Sequence, residues 1–495
     1  MITPEQWELI EKDAKKIYSD LELKIIQEIA ERIANVGYAN TVVLNDVRIL
    51  QEMGVLYSDI INLVAEETEK SYEEIKAIYE KAGYQSISYD DKIYKSAGLS
   101  PIPIKQSTGM LMLLEATAKK TNYNLNNLIM TTADTSQTQF YNAMNRAYME
   151  VSTGVKSYSQ AIIEVIEDVS KQGAYITYPS GARRTLESAV RTNIVTSVNQ
   201  TCGKLQEMRA DELGWDLMEI TAKIGSRPSH AEWQGRVVSR SGQRGYLSLS
   251  DIGYGEITGF KGVNCGHDWR PYYKGSALTY TEKDLKEMKY ATVTYNGKEM
   301  SIYDATQMQR KMERQINQDK KDLAGIQGIL TSGTTDNKLI TETKTAFARK
   351  SLIYKTHKNQ LDDFLKQTEF RKDNTRLFIG KQDKSITTQV ANVTKLANKY
   401  NNSDIIGTKV NGVTITEIGE HIISRTYARG IKFDDVEETL KKSVNYGTIK
   451  IDKNGKKSFQ VYGKEVTISV NPDTGKTITV RKINKREKKK YGIEE

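Results

Sequence analysis

Apolar residues return at Ile10, Ile17, Leu21, Ile25, Ile29 and Ile33, at spacings that predict one face of an amphipathic helix. Thr3 and Gln6 form a capping-box pattern ahead of it, with Pro4 suited to the first helical position. Gly37 is expected to stop this helix. Further helices are predicted over 44–53, 57–69 and 72–83, with Gly54 and Gly83 as terminators. A looser stretch at 96–105 holds Pro101 and Pro103. Helices then resume over 106–121 and 136–153, over 159–172 with Gly173 as its stop, and over 184–213 with Gly214 as its stop.

The pattern changes at about residue 215. Residues 215–275 are rich in Gly, Ser, Arg and aromatics, and short strands and loops fit them better than helix. A helix over 302–330 is dense in polar and charged residues: Gln307, Gln309, Arg310, Lys311, Glu313, Arg314, Lys320 and Lys321. It is expected to be solvated or embedded in a particle, not part of a core. Another helix is predicted over 341–368. After residue 401 come two short helices, 417–429 and 433–442. Four strands follow at 446–452, 457–462, 464–471 and 476–482, separated by Gly- and Asn-rich turns.

The expected fold is therefore multidomain. It has a mostly α N-terminal and middle region with a small Gly/Arg-rich irregular β insert, then a C-terminal α+β domain of two helices and a four-stranded antiparallel meander. The boundaries are 1–214 (helical), 215–290 (Gly/Arg-rich), 291–400 (charged helical linker region) and 401–495 (α+β).

Composition narrows the function. Of 495 residues, 38% are hydrophobic and 27% charged, so cores can form but the chain is polar for its length. No apolar run approaches the roughly 18 residues of a membrane helix, and no membrane partner is expected. The opening residues lack a basic head and an apolar stretch, so no secretory signal is expected. The chain is expected to work inside a cell or a particle assembled there. Cys202 and Cys265 are the only cysteines, which excludes a disulfide framework and leaves at most one bridge, disfavoured in a cytosolic protein. The net charge is +9, yet residues 1–100 carry 19 acidic and 11 basic side chains, a balance of −8 that leaves +17 for the rest. A basic body with an acidic head suits contact with polyanions on one part only. The run Lys482, Lys485, Arg486, Lys488, Lys489 and Lys490 reads as a nucleic-acid-binding tail or a solvated end.

The most distinctive stretch is Gly225-Ser226-Arg227-Pro228-Ser229-His230-Ala231-Glu232-Trp233-Gln234-Gly235. Gly262-Val263-Asn264-Cys265-Gly266-His267-Asp268-Trp269-Arg270-Pro271-Tyr272 follows it. Arg191, Asn193, Ser197, Asn199 and Gln200 precede both on the long helix, then Ala210-Asp211-Glu212-Leu213-Gly214. Tyr303-Asp304-Ala305-Thr306-Gln307, Gln309, Arg310, Glu313 and Arg314 come after. In this order the blocks resemble the phage minor capsid protein 2 family, related to the Mu F-like head-morphogenesis proteins, over about residues 1–380. The resemblance implies a virion protein of low copy number near the portal, assembled in the host bacterial cytoplasm. Portal and capsid proteins are its implied partners, with packaged viral DNA within reach. Its motif residues here are Arg227, Pro228, His230, Trp233, Gly235, Asn264, Cys265 and His267. Two positions depart from the family pattern: Lys223, where members often have His, and Gly266, where they have Arg.

Read from the residues alone, His230, Cys265 and His267 are of types that ligate zinc. Cys265 and His267 are only two apart, and a fourth ligand is missing with lysine at 223. The other reading is a packed loop core, with the rings of His230, Trp233 and Trp269 buried and Arg227 pinning carbonyls. The expectation is no metal and no cofactor.

At the C-terminus His421, Arg425 and Arg429 stand four apart on one helix face. Thr477 and Thr479 alternate on the last strand, which predicts a shared face. Helix pair, meander and this placement resemble the phage-encoded barnase–EndoU–colicin E5/D–RelE-like nucleases, so the resemblance implies a metal-independent RNase with these five residues catalytic and RNA as substrate. The chemistry needs proton transfer at the 2′-hydroxyl and charge on the phosphate, which a histidine and an arginine fork supply. On an exposed helix the same His/Arg pair is ordinary surface. Two other readings are a purely structural DNA- or portal-binding connector with an inactive last domain, and a polymorphic toxin of non-phage origin.

Overall fold

The computed structural model describes residues 1–36, 42–381, 383–452 and 454–493. The chain opens with helices α1 (Pro4–Lys16), α2 (Ser19–Val36) and α3 (Val42–Ser96), then α4 (Thr108–Ser152) and α5 (Tyr158–Gln172). A hairpin, β1 (Tyr175–Thr177) and β2 (Arg183–Thr185), leads into α6 (Leu186–Glu212). The Thr3/Gln6 capping box is present. The single first helix expected from periodicity is two: Tyr18 takes a left-handed φ of 62° and divides α1 from α2. Periodicity cannot show the break, because Ile17 and Tyr18 are themselves buried in the core. Gly37 lies outside the described residues.

Gly54 and Gly83 do not end helices; both lie inside the 55-residue α3, about 80 Å long. The buried stripe of Ile49, Leu56, Ile60 and Val64 runs straight through Gly54 and outweighs the ~1 kcal/mol a mid-helix glycine costs. At Gly83 side chains of both α4 and α6 press on α3, since a Cβ there would lie 2.7 Å from Leu114 and 3.0 Å from Leu205. The two helices expected over 106–153 are likewise one, α4. The stops at Gly173 and Gly214 hold, both with positive φ.

The Gly/Arg-rich insert folds around a three-stranded sheet, β3 (Leu217–Ile220), β4 (Val237–Ser239) and β5 (Trp269–Pro271), in the order β4-β3-β5. Its small core is Met218, Ile220, Trp233, Val238, Ile252, Phe260, Cys265 and Trp269. A short helix, α7 (Glu282–Tyr290), and a hairpin, β6 (Thr292–Tyr295) with β7 (Lys298–Ser301), follow.

The long helices α8 (Ile302–Thr331) and α9 (Asn337–Thr368) then return to the body. The expectation of a solvated α8 is wrong. Glu313, Asn317, Asp319, Lys321 and Asp322 are buried, and α8 packs on α2 and α5 through Gly325 and Gly328. Its charges are matched inside the protein: Lys321 Nζ lies 2.7 Å from Glu22, and Asp322 is 2.7 Å from Lys350. Composition could not reveal that Lys321 has a partner 299 residues away.

Helix α10 (Lys384–Asn401) lies between the body and the last unit, giving Ile386 to the body's core and Ala397 and Tyr400 to the C-terminal one. Short strands β8 (Lys409–Val410), β9 (Val413–Thr414) and β10 (Glu417–Ile418) precede α11 (Glu420–Ala428) and α12 (Phe433–Lys441). The remaining strands are β11 (Asn445–Tyr446), β12 (Lys450–Ile451), β13 (Lys457–Tyr462), β14 (Val466–Val470) and β15 (Lys476–Lys482), with a terminal turn of helix, α13 (Lys485–Lys490). The expected strand over 446–452 is two fragments, both on β13. The sheet is also no pure antiparallel meander, because β10 pairs parallel to β15 at its edge. A two-residue strand just before a helix carries no readable alternation.

Candidate functional site

Residues distant in sequence converge where the insert meets α6. Asn199 donates from Nδ2 to the Cys265 carbonyl at 2.8 Å and accepts from Lys261 Nζ at 2.9 Å. Lys261 in turn lies 2.6 Å from Asp268, both buried. Burial alone would raise the Asp268 carboxyl, but Lys261 holds it below the ordinary carboxylate range. Asp268 also accepts the backbone N–H of Ile2 at 2.8 Å, tying the start of the chain to the insert.

The motif residues arrange the loops. Arg227 donates to the Val263 carbonyl at 2.8 Å, and Pro228 lies exposed in the adjoining turn. Gly235 has φ 72° and faces Leu285, which a Cβ would approach to 2.6 Å. Asn264 is left-handed, with φ 55°, and its side-chain oxygen accepts from Arg191 at 3.3 Å. Trp233 packs edge-on to Phe260, which packs on Trp269. The packed-core reading expected buried rings at His230, Trp233 and Trp269 and an Arg227 that pins carbonyls; all three rings are buried, and Arg227 holds the Val263 carbonyl. The departures at 223 and 266 are linked: a Cβ on Gly266 would come within 2.4 Å of Lys223 Nζ, so a side chain at 266 requires Lys223 to move.

His230, Cys265 and His267 are all buried, and their ligating atoms lie within 4.8 Å of one another. His230 Nδ1 is 3.4 Å from His267 Nδ1, and Cys265 Sγ is 3.7 Å from the same atom. His230 Nε2 meets the Thr258 carbonyl at 2.8 Å, and His267 Nε2 meets Gln234 Oε1 at 3.1 Å. Burial pushes both imidazoles below their usual range, His267 far below, with nearby Lys223 adding to the effect on each. Cys202 and Cys265 are both free, so no bridge forms. The sequence reading missed the positioning roles of Asn199, Gln234, Thr258 and Lys261; partners so far apart in the chain leave no spacing signal.

The C-terminal constellation is brought together only in part. Arg425 Nε donates to His421 Nε2 at 3.3 Å, so the two share a face as expected. His421 is exposed, and partial burial of its ring with the Arg425 charge beside it lowers its pKa. The rest of the Arg425 fork is engaged by Glu342 of α9, at 3.0 and 3.2 Å. Arg429 donates to the Val480 carbonyl at 2.6 Å. Thr477 and Thr479 do not share a face. A bulge sets Thr477 opposite Val470 but Thr479 opposite Ser469, and neighbouring residues of a strand point to opposite sides. Thr477 is buried; its hydroxyl accepts from Gly419 N–H at 3.3 Å and donates to the Glu417 carbonyl at 3.2 Å, stitching β10 to β15.

The sequence model of phage minor capsid protein 2 matches residues 2–367. The chain belongs to the phage minor capsid protein 2 family. The matched span takes in the helical body and the insert with its His/Cys cluster, and ends before α10. The chain is also 26% identical over 291 residues to a "Structural protein" of Lactococcus phage LL-H, covering 56% of this chain and 76% of that protein. No solved structure matches. This minor capsid protein is thus a phage structural protein of the virion. Among the described residues no helix is long and apolar enough to cross a membrane.

Proposed function

We propose that this minor capsid protein is a low-copy connector of the phage head. It stands beside the portal, binds portal and capsid proteins, and is assembled in the host bacterial cytoplasm. The observation that carries this reading is a row of four exposed apolar side chains along α4, with Lys119, Asn127 and Asp134 exposed between them on the same side. Met112, Tyr123, Met130 and Tyr141 are exposed by 65%, 68%, 41% and 41%. Their spacings of eleven, seven and eleven residues keep them on one side of the helix over about 44 Å. Apolar side chains aligned on the outer side of a virion protein's long helix suit a flat helical contact with another head protein. The positive balance beyond residue 100 adds attraction for the packaged viral DNA.

The test is a phage carrying Tyr123→Lys with Met130→Lys. Both side chains are exposed, so the fold is retained, and the expected outcome is heads depleted of this chain. Normal incorporation of the variant removes the proposal.

A second reading, endoribonuclease action by residues 401–495, rests on the exposed His421 beside Arg425. A catalytic Arg425 would have to leave Glu342 to meet a phosphate. Incubating RNA with the purified chain and with His421→Ala decides it: equal RNA survival removes this reading and leaves the connector.

A further inference from the structure

The cluster in the insert has a property that packing alone does not explain. The carbonyl of Thr258 can only accept, so the Nε2 of His230 that meets it carries the ring's proton. Gln234 Oε1 is likewise an acceptor: it takes the backbone N–H of Lys223 at 3.1 Å as well as the Nε2–H of His267. Both imidazoles are therefore fixed as Nε2–H tautomers, and both Nδ1 lone pairs are bare. Those lone pairs face each other at 3.4 Å with the Cys265 sulfur 3.7 Å from one of them. Two opposed lone pairs in a buried site repel unless an electrophile sits between them. One thiol proton can satisfy one nitrogen, not both.

We propose that His230 Nδ1, His267 Nδ1 and the Cys265 thiolate bind one divalent ion of the zinc class. Zinc–nitrogen bonds of about 2.0–2.1 Å and zinc–sulfur bonds of about 2.3 Å, set at tetrahedral angles, put nitrogens about 3.4 Å apart and nitrogen and sulfur about 3.6 Å apart. The observed separations of 3.4 and 3.7 Å match the two edges that meet at His267, and the third pair, His230 and Cys265, lies within 4.8 Å and closes on the ion when it binds. The outer partners also fit, since ligating histidines hand their remaining N–H to a carbonyl or amide oxygen, as Thr258 and Gln234 receive them here. Binding exchanges the Cys265 S–H proton, released to solvent, for a sulfur–metal bond; the imidazoles bind neutral, and a water takes the fourth position. Because all three ligands are buried, the ion is a clasp. It joins the turn around His230 to the segment at Cys265–His267, which Asn199 holds against α6. A small insert with eight core residues gains rigidity from such a staple.

The experiment loads the purified full chain with zinc alone and, separately, with cobalt(II), and reads metal per chain and the visible spectrum. Expected are one zinc per chain and a cobalt spectrum with tetrahedral d–d bands and a thiolate-to-metal charge-transfer band. Cys202→Ser keeps that band, while Cys265→Ser loses it and His267→Ala loses the bound metal. Gln234→Ala, a change to a positioning residue, weakens zinc about 10–100-fold and keeps the tetrahedral spectrum. Should the ligand variants fail to fold, the spectra of the parent chain and Cys202→Ser still decide. A folded parent chain that takes up neither ion, or a charge-transfer band that vanishes in Cys202→Ser and persists in Cys265→Ser, overturns the proposal.

Discussion

Arg425 of the C-terminal unit forks onto Glu342 of the helical body, 83 residues earlier in the chain. The side chains are 15% and 30% exposed, so the pair is partly shielded from water. Replacing Glu342 by Ala leaves a largely buried guanidinium without its carboxylate, holding only His421, and is expected to weaken the docking of α11 on α9 by about 1–2 kcal/mol. Limited proteolysis between α9 and α10 checks this: the variant should be cut faster, and the difference should shrink in high salt.

Glu313 lies buried on α8, and burial lifts its carboxyl from an ordinary 4.5 to about 7. The folded state keeps this proton after the unfolded chain has released it. Stability is therefore full below the unfolded pKa and falls as pH rises through about 7. Glu313→Gln still accepts from Gln309, which lies 2.9 Å away. The variant should match the parent at about pH 4 and exceed it by about 1–3 kcal/mol at about pH 8, read from urea unfolding.

Two glycines of the long helices should respond in opposite directions. Gly54 has open space where a Cβ would go, so Gly54→Ala is expected to stabilise by about 0.5–1 kcal/mol. At Gly328 a Cβ would meet the backbone oxygen of Gln27 at 2.9 Å and the Ala30 methyl at 2.8 Å. Helix α2 would have to shift, and Gly328→Ala should destabilise by about 1–3 kcal/mol. Thermal unfolding of the two variants separates the effects.

The same contrast shows what the sequence carried. The ends of α5 and α6 were legible because Gly173 and Gly214 really adopt positive φ. Gly54 and Gly83 carry the same letter, but in α3 the packing of neighbouring helices overrides it. The charges of α8 looked solvent-bound because Glu22, the partner of Lys321, lies 299 residues away. The bulge that parts Thr477 from Thr479 depends on pairing with β14, which alternation along one strand cannot encode. For the insert, the residue types His230, Cys265 and His267 were visible. Their convergence was not, because hydrogen bonds to Thr258 and Gln234 and from Asn199 set it.

The connector reading is tested most directly by cross-linking mass spectrometry on gradient-purified phage particles. Lys119 and Lys120 are exposed on α4 along the apolar row. Cross-links from these lysines to the portal or a neighbouring capsid protein are the predicted result. A chain absent from the particles, or present with α4 lysines linked to no other head protein, would contradict it.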